Sequence, residues 1–137
     1  MFVEQYTIPS TQPTPLQESV EWTDQSAFEY AARKVIAQGR QSKNGLACKY
    51  RHPDGLKCHV GHLIPDDQYN PIMEDKMVSA FELRISALKN LNKNILIECQ
   101  LRHDEEVPVN SFIKHYKAGL RNIAFKYNLD ASFLNTM

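Results

Sequence analysis

Between Cys48 and His62 the chain repeats a Cys-x3-His spacing twice, Cys48 with His52 and Cys58 with His62, and His59 lies beside the second pair. Thiolate sulfur and imidazole nitrogen are zinc ligands, so the residue types suit a metal. The spacing suits it less. Structural zinc sites take closely spaced cysteines, about two to four residues apart, whereas nine residues separate Cys48 from Cys58. On an extended strand His62 would stand roughly 13 Å beyond Cys58, and Gly61 would have to bend the chain to bring it back. The expectation is no bound metal and no other cofactor, with Cys48, His52, Cys58 and His62 as the alternative ligand set.

The same stretch carries Lys49, Arg51, Lys57 and His59. If residues 46–62 fold as a hairpin, alternation puts these four on one face and Cys48, Tyr50, Leu56, Cys58 and Val60 on the other. The cationic face is the candidate binding site, suited to an acidic protein surface, a phosphate-bearing ligand or a nucleic-acid backbone. Arg40 and Lys43 belong to the same basic block. His103 and Asp104 could act as a base or metal ligand, but the expected role is local, His103 meeting the carbonyls at a helix C-terminus. No nucleophile elbow, Walker or dinucleotide glycine pattern is present, and no catalytic residue is assigned. A cysteine nucleophile, Cys58 with His59 or His103, would still need a positioned base.

These residues need elements to hold them. His52-Pro53-Asp54-Gly55 reads as a turn, because proline presets φ and glycine accepts the positive φ that closes it. The spacing predicts a helix over 24–38, capped by Thr23 or Asp24 and closed by Gly39. Phe28, Ala31, Ala32, Val35 and Ile36 form its apolar stripe. A long helix is expected over 78–102, with Asn90, Asn92 and Asn94 marking a place for a kink or break. A last helix is expected over 111–127, capped by Asn110, with Leu129, Phe133 and Leu134 folding back. The fold class read from this is α+β, a small helical domain of three main helices with one β-hairpin. Pro9, Pro13 and Pro15 make residues 1–22 an extended N-terminal arm, and 23–137 a single globular domain.

At 137 residues the chain has the length of one domain, and 42% apolar content is that of a globular protein. Lys plus Arg equals Asp plus Glu at 16 each, which argues against a polyanion binder that works by bulk charge. The balance hides blocks: net −5 over 1–32, +6 over 33–62, −4 over 63–106 and +3 over 107–137. No apolar run reaches the roughly 18 residues of a membrane span, and the N-terminus lacks the pattern of a signal peptide. Three cysteines, an odd number, fit reduced thiols in the cytoplasm.

The run Tyr50-Arg51-His52-Pro53-Asp54-Gly55-Leu56-Lys57-Cys58, continuing through Gly61, Leu63, Ile64, Pro65 and Asp66, resembles a pattern in small uncharacterised proteins of phages and bacteria, Y-R-x-P-x-G-x-K-C-x-x-G-x-L-I-P-D. Tyr69, Met73-Glu74, Leu101 and His103-Asp104 are similar to further parts of it, so the resemblance spans roughly 46–105. It implies no activity. It implies a phage accessory protein that binds and alters a host protein. The resulting expectation is a small protein-binding protein of the host cytoplasm, with no membrane association, whose partner presents an acidic surface to Lys49, Arg51, Lys57 and His59. The alternatives are a nucleotide- or nucleic-acid-binding protein using the same basic hairpin, and a small enzyme with a Cys/His site.

Overall fold

The computed structural model describes residues 21–44 and 47–137, so the expected arm over 1–22 lies outside it except for Glu21 and Trp22. Helix α1 spans Asp24–Gln38. Its first turn is closed by a capping box, in which the Thr23 side chain accepts from the Ser26 N–H and the Ser26 side chain accepts from the Thr23 N–H. Gly39 ends it at φ 86°, a left-handed conformation that costs a β-carbon-bearing residue energy. Helix α2 spans Lys93–Asp104 and begins at Asn92, whose side chain accepts from the Asn94 N–H. Helix α3 spans Phe112–Tyr127 and ends at Asn128 with φ 58°.

The helices are shared between two apolar clusters. Ala27 and Ala31 of α1 and Leu96 of α2 join one cluster with Val60, Leu63, Phe81, Ile85 and Leu88. Phe28, Ala32 and Val35 of α1, with Ile95 and Cys99 of α2, join the other with Phe112, Tyr116, Leu120, Ile123 and Leu134. So α1 and α2 stand between α3 with the C-terminal tail on one side and the irregular 58–91 segment on the other. Fully buried side chains such as Phe112, Leu88 and Leu120 each contribute about 1.5–3 kcal/mol. Leu129 packs at the edge of the second cluster while Phe133 and Leu134 are buried, so the tail folds back as its apolar spacing implies. Among the described residues, no helix is long and apolar enough to cross a membrane.

The α+β reading is overturned: the architecture is helical and the expected β-hairpin is not formed. Among the described residues, strand is confined to a two-residue ladder, β1 (Lys43–Asn44) against β2 (Ala47–Cys48). The turn at residues 52–55 does close, with the Gly55 N–H donating to the His52 carbonyl at 2.9 Å and Gly55 at φ 91°. Beyond it, pairing stops at a single bridge between Arg51 and Lys57. Side chains have taken the groups a ladder would use. The Glu74 carboxylate accepts from the N–H groups of Tyr50 at 3.0 Å and Arg51 at 3.1 Å. The Gln38 amide both accepts from the Lys57 N–H and donates to its carbonyl, each at 2.9 Å. After Cys58 the chain winds into a 3-10 turn, Val60–Leu63, instead of continuing extended.

The expected long helix over 78–102 is also corrected. Its first part is a run of short 3-10 turns, Val78–Ala80 and Glu82–Arg84, and only 93–104 is α-helical. The asparagines mark the break, and Asn92 starts a helix instead of kinking one. Asn110 does not cap α3; a 3-10 turn at Val109–Ser111 leads into it, and Ser111 occupies the cap position without a side-chain bond.

Candidate functional site

The four residues of the expected cationic face are not presented together, because the strand that would align them is absent. His59 is 1% exposed. The 3-10 turn points its ring inward, where Nδ1 shares a 2.6 Å hydrogen bond with the Tyr116 hydroxyl. Burial, with His103 and His62 nearby, lowers its pKa to about 3, so it is a neutral core group at ordinary pH. Arg51 is turned along the surface. Its Nη2 donates to the Ile64 carbonyl at 3.0 Å and pairs with Asp66 at 2.8 Å, and its guanidinium lies 4.5 Å from the Tyr69 ring centre. Tyr69 in turn donates to Glu74 at 2.6 Å. Lys49 faces Asp75 at 3.7 Å. Lys57 is half-buried and held through its backbone by Gln38.

Tyr50, Arg51, Gly61, Ile64, Asp66, Tyr69 and Glu74 thus bind one another. The most distinctive stretch of the sequence is a folding unit built from mutual hydrogen bonds, in which one carboxylate satisfies two backbone N–H groups that would otherwise cost about 1–3 kcal/mol each if buried unpaired. Among the described residues, the Nε of Arg51 is the one buried side-chain nitrogen or oxygen without a hydrogen-bond partner.

The alternative zinc set is not assembled either. His52 accepts from the Asp54 N–H through Nδ1 and lines a cleft beside α3, while His62 donates from Nε2 to the Gln38 carbonyl oxygen. Burial, with Lys57 next in effect, lowers the His62 pKa to about 4. Cys58 is 1% exposed and its sulfur accepts from the Gly61 N–H. Burial pushes its thiol well up.

The structure instead gathers a group the sequence could not reveal. Cys48, His103 and Asp104 place one ligand-capable atom each within 4.8 Å of one another. They stand where β2 meets the C-terminal end of α2, beside a cavity of about 400 Å³ whose lining includes Cys48, Tyr50, Cys58, Ile97, Gln100, Leu101 and Asp104. The His103 Nε2 accepts from the Ser42 backbone N–H at 3.2 Å, which places the ring proton on Nδ1, and Nδ1 donates to Asp104 Oδ1 at 2.8 Å. Gln100 donates to the same oxygen at 2.8 Å. Gln41 donates to the carbonyls of His103 at 2.6 Å and Glu105 at 2.8 Å, binding the segment before β1 to the end of α2. Burial first, then the Asp104 charge, pushes the Cys48 thiol up to about 12. His103 was legible as a residue at a helix end. Its apposition to Cys48 was not, because Cys48 and Asp104 are separated by 56 positions and no spacing rule reaches that far.

The cations that do share a concave surface are others from the basic block. Arg40, Lys43 and His52 line a second cleft of about 260 Å³ together with Gln41, Asp54, Leu56, Val109 and Phe112. Among the described residues, neither Arg40 nor Lys43 is ion-paired. Val109 at the same cleft is 75% exposed. Asp54 supplies the opposing charge.

Comparison with family models, with curated proteins and with solved structures finds no match to this chain.

Proposed function

We propose that the chain is a protein-binding accessory protein of the cytoplasm that docks an acidic segment of its partner in the cleft of Arg40, Lys43, His52 and Val109. One observation carries this reading: two cations without ion-pair partners among the described residues sit beside an exposed apolar side chain in one concave surface. A carboxylate-bearing segment with a neighbouring apolar residue complements that combination. Following the resemblance over 46–105, the chain is phage-encoded and the partner is a host protein.

The nucleic-acid alternative has less support. The net charge is zero, and Phe112, the phenyl ring that lines the cleft, is 1% exposed and offers no stacking platform for a base. The enzyme alternative has less still. The Cys48 thiol is far above neutral, His59 is committed to Tyr116, and both nitrogens of His103 are engaged, so neither His59 nor His103 is free to act as base for a cysteine nucleophile.

The test is capture of a defined partner from host lysate by the tagged full chain, followed by binding kinetics. Arg40→Glu with Lys43→Glu is expected to abolish capture and to slow association most at low salt, since exposed charges are screened beyond about 10 Å at 0.1 M. Lys114→Glu, an exposed charge reversal on α3, is expected to leave capture intact. Unchanged capture by the double variant, or capture lost on nuclease treatment, overturns the proposal.

A further inference from the structure

We propose that Cys48, His103 and Asp104 form a binding site for a zinc-class divalent cation, with its remaining coordination position open to the adjoining cavity. The inference departs from the expectation of no metal. It does not rest on the protein-docking reading, which concerns the other cleft.

The donor set is the first reason. One sulfur, one imidazole nitrogen and one carboxylate oxygen make a mixed set that zinc accepts and that calcium and magnesium, which prefer oxygen throughout, do not. Distance is the second. Around a tetrahedral zinc with bonds of about 2.0–2.3 Å, ligand atoms stand roughly 3.5 Å apart. Here they already lie within 4.8 Å of one another, with Nδ1 and Oδ1 at 2.8 Å, so side-chain adjustments of about 1 Å close the set. Support is the third. Gln100 holds the Asp104 carboxylate from outside, and Gln41 ties the His103 and Glu105 carbonyls to the segment that carries Ser42, the kind of outer contact that orients metal ligands. The cavity is the fourth. It gives an ion a route from solvent and leaves space for water at the open position.

Ligation has a defined proton inventory. The Cys48 S–H bond breaks and its proton leaves to water as the sulfur–metal bond forms. The His103 Nδ1 proton leaves to water as the Nδ1 lone pair binds the ion, and Nε2 takes a proton from water, so the ring changes tautomer with no net proton released. That exchange ends the hydrogen bond from the Ser42 N–H, because Nε2 can no longer accept. Ser42 therefore reports occupancy from outside the ligand set.

The experiment uses the full chain freed of metal and titrated with Co²⁺, then Zn²⁺. The expected result is a thiolate-to-cobalt charge-transfer band that saturates at a single equivalent and is displaced by Zn²⁺. Cys48→Ser is expected to lose the band, and Asp104→Asn to weaken binding by roughly tenfold or more, with helical circular dichroism retained. Two readouts need no variant: Zn²⁺ should slow alkylation of Cys48, and it should move the Ser42 amide resonance. Absence of the band in the unmodified chain, an equal band in Cys48→Ser, or Zn²⁺ that neither protects Cys48 nor shifts Ser42 overturns the assignment.

Discussion

A β-carbon on Gly61 would lie 2.1 Å from the carbonyl oxygen of Tyr50. The two backbones meet that closely because Gly61 sits in the 3-10 turn that replaces the second half of a hairpin, while Tyr50 is held from its other side by Glu74 and packs edge-on against Phe81 at 5.2 Å between ring centres. Backbone cannot move aside as a flexible side-chain tip would.

Gly61→Ala is therefore expected to destabilise the chain by about 3 kcal/mol, the upper range for forcing extra volume into a packed site. Gly55→Ala is the contrast. Nothing lies within 4 Å of its would-be β-carbon, and only its φ of 91° is unfavourable, so a cost of about 1 kcal/mol is expected. Urea midpoints of the two variants measure the difference, and equal midpoints would contradict the close approach.

Arg51 and Lys57 are expected to respond differently to charge reversal, although alternation would place them side by side on one solvated face. Arg51→Glu loses the bond to the Ile64 carbonyl and the stacking on Tyr69, and sets a carboxylate beside Asp66 and Glu74. The expected cost is about 2–3 kcal/mol, combining a charged hydrogen bond with a cation–π contact. Lys57→Glu leaves the Gln38 clamp intact, since that clamp holds only backbone atoms, and a change within about 0.5 kcal/mol is expected. Thermal denaturation of the two single variants distinguishes them.

Stability is expected to fall on acidification from pH 6.5, before most carboxylates titrate. His59 has its pKa lowered from 6.5 to about 3 by burial, with His103 and His62 adding to the effect. Between those values the unfolded chain binds a proton that the folded chain does not, so stability rises with pH through the window and is fully present above it. His59 contributes a slope of up to about 1.4 kcal/mol per pH unit. His62, lowered to about 4 mainly by burial, adds a smaller slope because it is partly solvated. Urea unfolding between pH 6.5 and 5 should show the decline, and His62→Gln should reduce it without removing it. A flat profile over that interval would place the His59 ring in solvent.

Much of the helical frame follows from short-range rules. Thr23 with Ser26, the stripe from Phe28 to Val35 and the left-handed Gly39 are settled by atoms within about four residues of one another, and α1 occupies the range they imply. The apolar repeat of α3 and the return of Phe133 and Leu134 are readable for the same reason: helical periodicity is local, and a side chain with no polar atom has one favourable destination. Gly55 closes its turn on the same local terms.

Tertiary structure decided the rest, because the competing partners are far apart in the chain. A hairpin over 46–62 satisfies the periodic pattern, yet Glu74 and Gln38 satisfy the backbone groups of Tyr50, Arg51 and Lys57 from 19 to 24 positions away. Without the ladder, alternation no longer assigns faces, and His59 enters the core to meet Tyr116 across 57 positions. The apolar spacing over 78–91 is compatible with a helix, but the chain there follows the first cluster in 3-10 turns that bury Val78, Phe81, Ile85 and Leu88. Residue types alone identify Cys48, His103 and Asp104 as capable of chemistry. Their meeting depends on Gln41 and Ser42 docking against the end of α2, a contact between segments that exists only once the chain has folded.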